Sequence, residues 1–316
     1  AVGKAAVAAL VDQGKSVRVA QRRKPNNLPA NVDFQSCDLL DLAQVKAAVH
    51  GASHVLLAVG FAYDSRVWEK VWPTTMRNIV EACAQANARV VFIDNLYQLG
   101  PQSGPRHEGM TLSRKGNKAR VLTEVADIWM AARDRVKFAS LRCSDFYGPN
   151  VPVSHLGSEA LGGLAQGKTA QLVVPPDTLH DFAYVPDIVR AALILLDATD
   201  DAYGQVWNMP CAPSRTPREL LVMGAASLGV QPKIFAMPFA LVPFVGLFVR
   251  FMKEVADVSY TWDRPYIVDG SKFAKHFGFK VTPFEVGIPV AAASFRETKP
   301  TALLQAAGGK KQLKIG

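Results

Sequence analysis

The sequence predicts an α/β fold, a doubly wound parallel sheet with helices on both faces, followed by a smaller C-terminal lobe. Three observations predict it. Short apolar runs bounded by turn residues alternate with segments of helical period through the first half of the chain. Two of those runs, His54-Val-Leu-Leu-Ala-Val-Gly60 and Arg89-Val-Val-Phe-Ile-Asp94, have the near-continuous apolar character of strands buried on both faces. After about residue 150 the alternation loosens, with prolines at 175, 176, 186, 210, 213 and 217. Such alternation gives right-handed crossovers and a parallel sheet.

The elements follow in order. Residues 2–13 read as a helix closed by Gly14, because apolar residues recur at helical spacing. Ser16-Val-Arg-Val-Ala20 alternates as a strand, and Val32-Asp-Phe-Gln-Ser36 is a second. Residues 42–49 are helical, 54–60 a strand stopped by glycine, 72–87 a helix and 89–94 a strand. Residues 119–133, 138–142 and 187–197 continue as helix, strand and helix, the last entered from Asp187. The sheet domain is expected over residues 1–150, with 181–210 returning to it, and the smaller lobe over 151–180 and 211–300. Residues 301–316, where Lys310, Lys311 and Lys314 sit beside Gly308 and Gly309, read as a disordered tail.

With 316 residues and 49% hydrophobic content the chain can bury a sizeable core. Its net charge of +9 invites a nucleic-acid reading, but the basic residues are spread along the chain and not interleaved with aromatics, so no nucleic-acid partner is expected. Cys37, Cys83, Cys143 and Cys211 lie far apart, with no CxxC pair or histidine cluster, which argues against a metal site and for reduced thiols. The first residues lack the order of a signal peptide, and a cytoplasmic protein is expected. The most apolar stretch, 234–249, is broken by Pro238, Pro243 and Gly246 and is too short to span a bilayer comfortably. It reads as a buried or lid helix pair; a membrane-surface or homodimer helix over 235–252 is the competing reading.

A doubly wound sheet binds dinucleotides at the carboxyl ends of its strands, through a glycine turn between the first strand and first helix. Gly3 opens a helix where the last glycine of a GxxGxxG loop would stand. The expectation is therefore a Rossmann-like domain whose first strand and earlier glycines precede residue 1, with helix amides aimed at the pyrophosphate. After the next strand stand Arg22, Arg23 and Lys24, with no competing acid. That sign suits the extra phosphate of NADP, whereas NAD sites place a carboxylate there. NADP is the expected cofactor, with NAD as the other option. Asp38 lies where an acid meets the adenine edge, or equally where one caps the following helix.

Five segments in order carry a family resemblance: Ser36-Cys-Asp-Leu-Leu-Asp41, Leu141-Arg-Cys-Ser-Asp-Phe-Tyr-Gly-Pro149, His180-Asp-Phe-Ala-Tyr-Val-Pro-Asp187, Gly204-Gln-Val-Trp-Asn-Met-Pro210 and Pro265-Tyr-Ile-Val-Asp-Gly-Ser271. Over about residues 1–290 the chain resembles the extended short-chain dehydrogenases/reductases, the NAD-dependent epimerase/dehydratase family. The resemblance implies NAD(P) use, a Rossmann-like N-terminal domain and a C-terminal lobe over a small-molecule substrate that is often a nucleotide sugar. It matches Gly3 to the last loop glycine, Arg22 to the 2′-phosphate contact, Asp38 and Leu39 to adenine contacts, and Ala58 and Gly60 to the strand end beside the cofactor. It sets Tyr147, Gly148 and Pro149 after the strand that passes the nicotinamide, and makes Asp181, Tyr184 and Asp187 architectural.

The catalytic pattern departs from that family. Hydride chemistry there relies on a tyrosine, a lysine four residues later and a serine or threonine; a phenol must be brought toward neutrality by a nearby cation to exchange protons usefully. Between Tyr97 and Tyr147 no tyrosine occurs, and the expected helix start reads Ser113-Arg-Lys-Gly-Asn-Lys-Ala-Arg120. Either Arg114 and Lys118 take the Tyr-Lys spacing, or Lys115-Gly116 takes the common Tyr-Gly pair. Asn95 stands at the serine position. Tyr97 assisted by Lys115 or Lys118 is one substitute, since an ammonium favours a phenolate. A carboxylate base at Asp94 or Asp145 is another, and His107 and Glu108 lie in the preceding loop. Lys115 and Lys118 are alternatively holders of a substrate phosphate or carboxylate. Two functions follow: an NAD(P)-dependent oxidoreductase or epimerase/dehydratase on a small carbonyl, hydroxyl or nucleotide-sugar-like substrate, or a catalytically silent NADP-binding sensor.

Overall fold

In the computed structural model, which describes residues 1–296, parallel strands and helices alternate as the sequence predicts. The tail expected over 301–316 lies outside the described residues. In chain order the elements are α1 (Val2–Asp12), β1 (Arg18–Gln21), β2 (Asp33–Ser36), α2 (Leu42–Val49), β3 (His54–Leu57), α3 (Ser65–Ala86), β4 (Arg89–Asp94), α4 (Asn117–Ala131) and β5 (Phe138–Arg142). There follow β6 (Asp145–Tyr147), α5 (Gly162–Ala165), β7 (Ala170–Leu172), β8 (Phe182–Tyr184), α6 (Val185–Leu196), β9 (Gln205–Asn208) and α7 (Pro217–Leu228). The last are β10 (Ile234–Ala236), α8 (Val242–Val245), α9 (Arg250–Asp257), α10 (Ser271–Phe277) and α11 (Phe284–Ala293).

One compact unit comprises Ala1–Ser144, Val185–Cys211 and Ile267–Val281. Its main sheet runs β3-β4-β5-β9 with every pairing parallel, Val91 opposite Ala139 and Leu141 opposite Trp207. β1 and β2 form a separate parallel pair. β4 and β5 are buried along almost their whole length, which is why their sequences carry no alternation. Trp129 of α4 stacks on Phe138 at 4.9 Å between centroids, and Phe92 packs against Trp72 of α3. Residues 267–281 belong here, although the sequence pattern grouped them with the lobe. The Arg106 amide donates to the Ile267 carbonyl at 2.8 Å, and Asn208 Nδ2 donates to the Asp269 carbonyl at 3.3 Å.

α3 begins seven residues before the expected start at residue 72. The Asp64 carboxylate caps it by accepting from the Arg66 amide, and the helix passes through Pro73. Proline inside a helix forfeits one backbone bond. The burial of Trp68, Trp72 and Met76 on one face offsets that loss and holds the helix continuous.

The other unit comprises Asp145–Tyr184, Ala212–Tyr266 and the described residues from Thr282 on. Two short parallel pairs, β6 with β8 and β7 with β10, lie in it beside α7 and α11. α7 is announced by a capping box, Thr216 and Glu219 bonding reciprocally, with Pro217 at its first position. His180 is fully buried, its ring stacked 3.7 Å from Trp262 and 4.9 Å from Tyr266, with Nε2 2.8 Å from Asp145 Oδ2. Burial works to raise the Asp145 pKa, but the bond to His180 and the charges of His155 and His180 outweigh it and hold the carboxyl below its ordinary value.

The buried helix pair expected over 234–249 does not form. Pro238, Pro243 and Gly246 reduce the stretch to β10, a single turn at Phe239–Leu241 and the one-turn α8, with Val242 buried but Phe235, Leu241, Phe244, Leu247, Phe248 and Val249 exposed. No helix among the described residues is long and apolar enough to cross a membrane. For the core, Phe138→Ala is expected to cost about 3–5 kcal/mol, since Phe138 is fully buried and touches both Trp129 and Phe92; urea denaturation of the variant against the parent measures it.

Candidate functional site

Three segments of the first unit bring polar groups together: the loop after β3, the turn after β4 and the start of α4. The β4 strand ends at Asp94, and Asn95 then folds the chain back, its Oδ1 accepting from the Tyr97 amide at 3.0 Å. That turn lays the Tyr97 ring on Trp68 of α3, centroids 6.4 Å apart and planes 22° from parallel. From the loop after β3, Tyr63 meets the edge of the same indole at 5.8 Å, and its hydroxyl lies 3.4 Å from the Tyr97 hydroxyl. Lys118, in the first turn of α4, is fully buried, with Nζ 4.3 Å from the Tyr63 ring centroid and 5.8 Å from that of Trp68. A desolvated ammonium over an aromatic face gains about 2 kcal/mol from the ring quadrupole, which offsets part of the cost of burying the charge.

Of the groups at the start of α4, only Lys118 turns inward. Lys115 is exposed, its amide donating to Ser113 Oγ at 3.1 Å, and Arg114 pairs with Asp127 at 2.5 Å on the surface. His107 is exposed, while Glu108 is held by β9, its Oε1 accepting from the Asn208 amide at 2.9 Å.

Beneath the turn, Asp94 is buried beside Arg142. Its Oδ1 accepts from the Asn95 amide at 2.8 Å, its Oδ2 from Gln98 Nε2 at 2.9 Å and Ser140 Oγ at 3.0 Å, and Arg142 Nε lies 3.7 Å from Oδ2. Burial pushes the Asp94 pKa up, against the opposing pull of the guanidinium and those three bonds. The carboxylate thus holds the floor of the turn that carries Asn95 and Tyr97. Asp145, the other carboxylate considered as a base, lies in the second unit with His180.

The groups expected around a dinucleotide also follow strand ends. Gly3 sits in the first turn of α1, where an added Cβ would lie 3.7 Å from the Ala58 carbonyl oxygen and 3.8 Å from Ala58 Cβ, so the helix start and the end of β3 adjoin. Gly60 is exposed two residues on. Arg22 and Arg23 follow β1 with exposed side chains; Ser36 Oγ donates to the Arg22 carbonyl at 3.4 Å and Gln21 Nε2 to the Arg23 carbonyl at 2.7 Å. Asp38 accepts from the Leu40 amide at 3.0 Å, and the Leu39 carbonyl accepts from Asn78 Nδ2 at 2.9 Å. The cap of α2 comes from Asp41, not from Asp38. No acid stands in the first turn of α1, and the positive residues after β1 are exposed, so the donor set fits an anionic dinucleotide. Tyr147 is buried in the second unit, its ring 5.0 Å from Tyr184 and 5.5 Å from Phe284, with Gly287 leaving room for the hydroxyl. Among the described residues, no cluster of His, Cys, Asp and Glu is arranged to hold a metal.

Residues 1–209 match the model of the NAD dependent epimerase/dehydratase family. The chain belongs to that family. Among solved structures, UDP-glucose 4-epimerase from Thermus thermophilus, complexed with NAD, superimposes with a TM-score of 0.76 at 21% identity, covering 95% of this chain and 97% of that one. The UDP-glucuronic acid 4-epimerase from Bacillus cereus, in complex with UDP-glucuronic acid and NAD, gives 0.76 at 13% identity, covering 93% and 96%. The enzyme WbmH from Bordetella bronchiseptica, in complex with NAD+, gives 0.74 at 18% identity, covering 94% and 95%. At these identities the likeness establishes a Rossmann-like epimerase fold. No curated protein matches the chain by sequence.

Tyr63 and Trp68 were not legible as site residues. Their only sequence signal is aromatic density after a strand-ending glycine, in Gly60-Phe-Ala-Tyr63 and again at Trp68 and Trp72, a pattern shared with ordinary core. For the floor of the turn, Asp94→Asn leaves the Arg142 charge buried opposite a neutral amide, and a loss of about 3–5 kcal/mol in unfolding free energy is expected by guanidinium titration.

Proposed function

We propose that this chain is an NADP-dependent oxidoreductase or epimerase/dehydratase acting on a small carbonyl, hydroxyl or nucleotide-sugar substrate, with Tyr97 as its proton-transfer group. The observation that carries the reading is the phenol pair, the hydroxyls of Tyr63 after β3 and Tyr97 after β4 3.4 Å apart, with the buried ammonium of Lys118 at the start of α4 over the Tyr63 ring. Family membership supplies the reaction class, and this cluster offers an acid/base for the tyrosine that the sequence is read as lacking.

A nicotinamide group, when bound, supplies hydride acceptance and donation. Gly3, Ala58 and Gly60 are the residues proposed to hold its dinucleotide, with Asp38 and Leu39 at the adenine and Arg22 and Arg23 at the 2′-phosphate. The remaining work is proton transfer. In the oxidising direction Tyr97 Oη takes the substrate hydroxyl proton as the carbinol hydrogen leaves with its electron pair, and in the reducing direction it returns that proton to the oxygen. Tyr63 Oη, at the far end of the pair, relays the proton onward, and Lys118 stabilises negative charge on the Tyr63 phenol through its closeness to that ring. Asn95, whose Oδ1 is held by the Tyr97 amide, carries an amide donor in place of the serine hydroxyl. Lys115, exposed at the head of the same helix, is proposed to meet a phosphate or carboxylate of the substrate. The enzyme is proposed to work in the cytoplasm, where buried thiols such as Cys83, whose pKa burial pushes up to about 12, stay reduced.

Two measurements test this. Tyr97→Phe removes only the hydroxyl and is expected to lower kcat by roughly 10²–10⁴-fold while leaving dinucleotide affinity unchanged, read by NADPH absorbance over a panel of aldehydes, ketones and nucleotide sugars. A parent protein that binds NADPH tightly and turns over nothing in that panel is instead a sensor. Arg22→Ala is expected to weaken NADP about 10–100-fold, the worth of a charge-assisted hydrogen bond, without changing NAD affinity by calorimetry.

A further inference from the structure

We propose that the segment from Lys233 to Lys253 is a docking surface for an anionic phospholipid bilayer, lying in the headgroup region without crossing it. Its tip is the most exposed apolar surface of the second unit: Phe248 is 90% exposed, Leu247 77% and Phe244 67%, with Phe235, Leu241 and Val249 also open. Large side chains concentrated in one short stretch mark an interaction site, whereas single exposed apolar residues are ordinary. The backbone holds this tip in one place. The one-turn α8 stops at Gly246, which lies so close to α9 that an added Cβ would sit 3.0 Å from the Lys253 nitrogen and 3.1 Å from its Cα. On its other side α9 buries Met252 and Val255, so the apolar tip is carried outward on an anchored helix.

Charge selects the occupant. From Lys233 to Lys253 the sequence contains no Asp or Glu. The next acid, Glu254, is turned inward, 1% exposed and paired with Arg250 at 2.6 Å. The exposed charges at the two ends of the stretch, Lys233 and Lys253, are therefore both positive. An apolar tip flanked by lysines matches an interface whose headgroups are anionic and whose acyl chains lie just beneath. A second copy of the chain fits less well. A two-fold interface sets each patch against itself, which would bring Lys253 of each copy close to the other, and a stable dimer needs roughly 20–30 residues per side where this segment offers six large apolar ones.

Co-sedimentation with vesicles tests the proposal on the full chain. Vesicles of phosphatidylcholine mixed with phosphatidylglycerol are expected to carry the protein down, and phosphatidylcholine alone to do so more weakly by roughly 25-fold, about 5-fold for each of the two lysines. The double variant Leu247→Glu with Phe248→Glu changes only exposed positions and is expected to stay in the supernatant at an unchanged melting temperature. Lys253→Gln is expected to lose about 5-fold on the anionic vesicles and nothing on the neutral ones. Failure of the parent protein to sediment with either vesicle overturns the proposal, as does equal sedimentation of the parent and the double variant. A parent that is dimeric by light scattering, and that the double variant converts to monomer without any vesicle binding, assigns the face to a second copy instead. Turnover in solution does not enter these readouts, so they stand apart from the proposed chemistry.

Discussion

Parallel pairing of β3, β4, β5 and β9 is the constraint on which the rest of the first unit depends. Strands that all run one way bring their carboxyl ends out together, and the chain must leave each strand there before a helix returns it. Ala58, Gly60 and Tyr63 leave β3 at that edge, and Asn95 and Tyr97 leave β4. Lys118 is delivered by the helix that follows β4. Residues far apart in the chain become neighbours because the sheet allows no other exit, and the aromatic rings of α3 fill the space under them.

That constraint also bears on the proposed proton carrier. The register of the strands sets the neighbourhood, and the neighbourhood here contains two tyrosines. Of the two cations at the Tyr-Lys spacing, Lys118 is buried among the aromatic rings, while Arg114 turns to the surface and pairs with Asp127.

Most of the sheet was legible because its strands are buried on both faces. The expected bounds of β4, β5 and α2 agree with the observed ones to the residue, since unbroken apolar runs and helical period are local signals, although the cap of α2 is Asp41 and not the Asp38 that the sequence offered. α3 extends seven residues before its expected start, and what carries the helix through Pro73 is tertiary, the packing of Trp68 and Trp72. Residues 234–249 misled in the opposite direction. High hydropathy ordinarily means burial, but two prolines and a glycine leave too little regular structure there to fold the apolar side chains under. Lys118 stood out as one of two lysines at a helix start, and only the fold distinguishes it from Lys115. Tyr63 was beyond reach, because its meaning lies in the hydroxyl it meets across thirty-four positions of sequence and in the ammonium that α4 sets over its ring.

The stacking of Tyr97 on Trp68 joins two kinds of selection that proteins usually keep apart. Trp68 closes the interior between α3 and the sheet, and its indole is also the shelf that orients the proposed proton carrier. A change of shape at that single position would be felt at once as lost folding energy and as a misaimed hydroxyl. Mutational drift through this part of the interior is therefore narrowed to substitutions that keep a flat ring in the same plane, and adaptation to new substrates has to come from the loops around it.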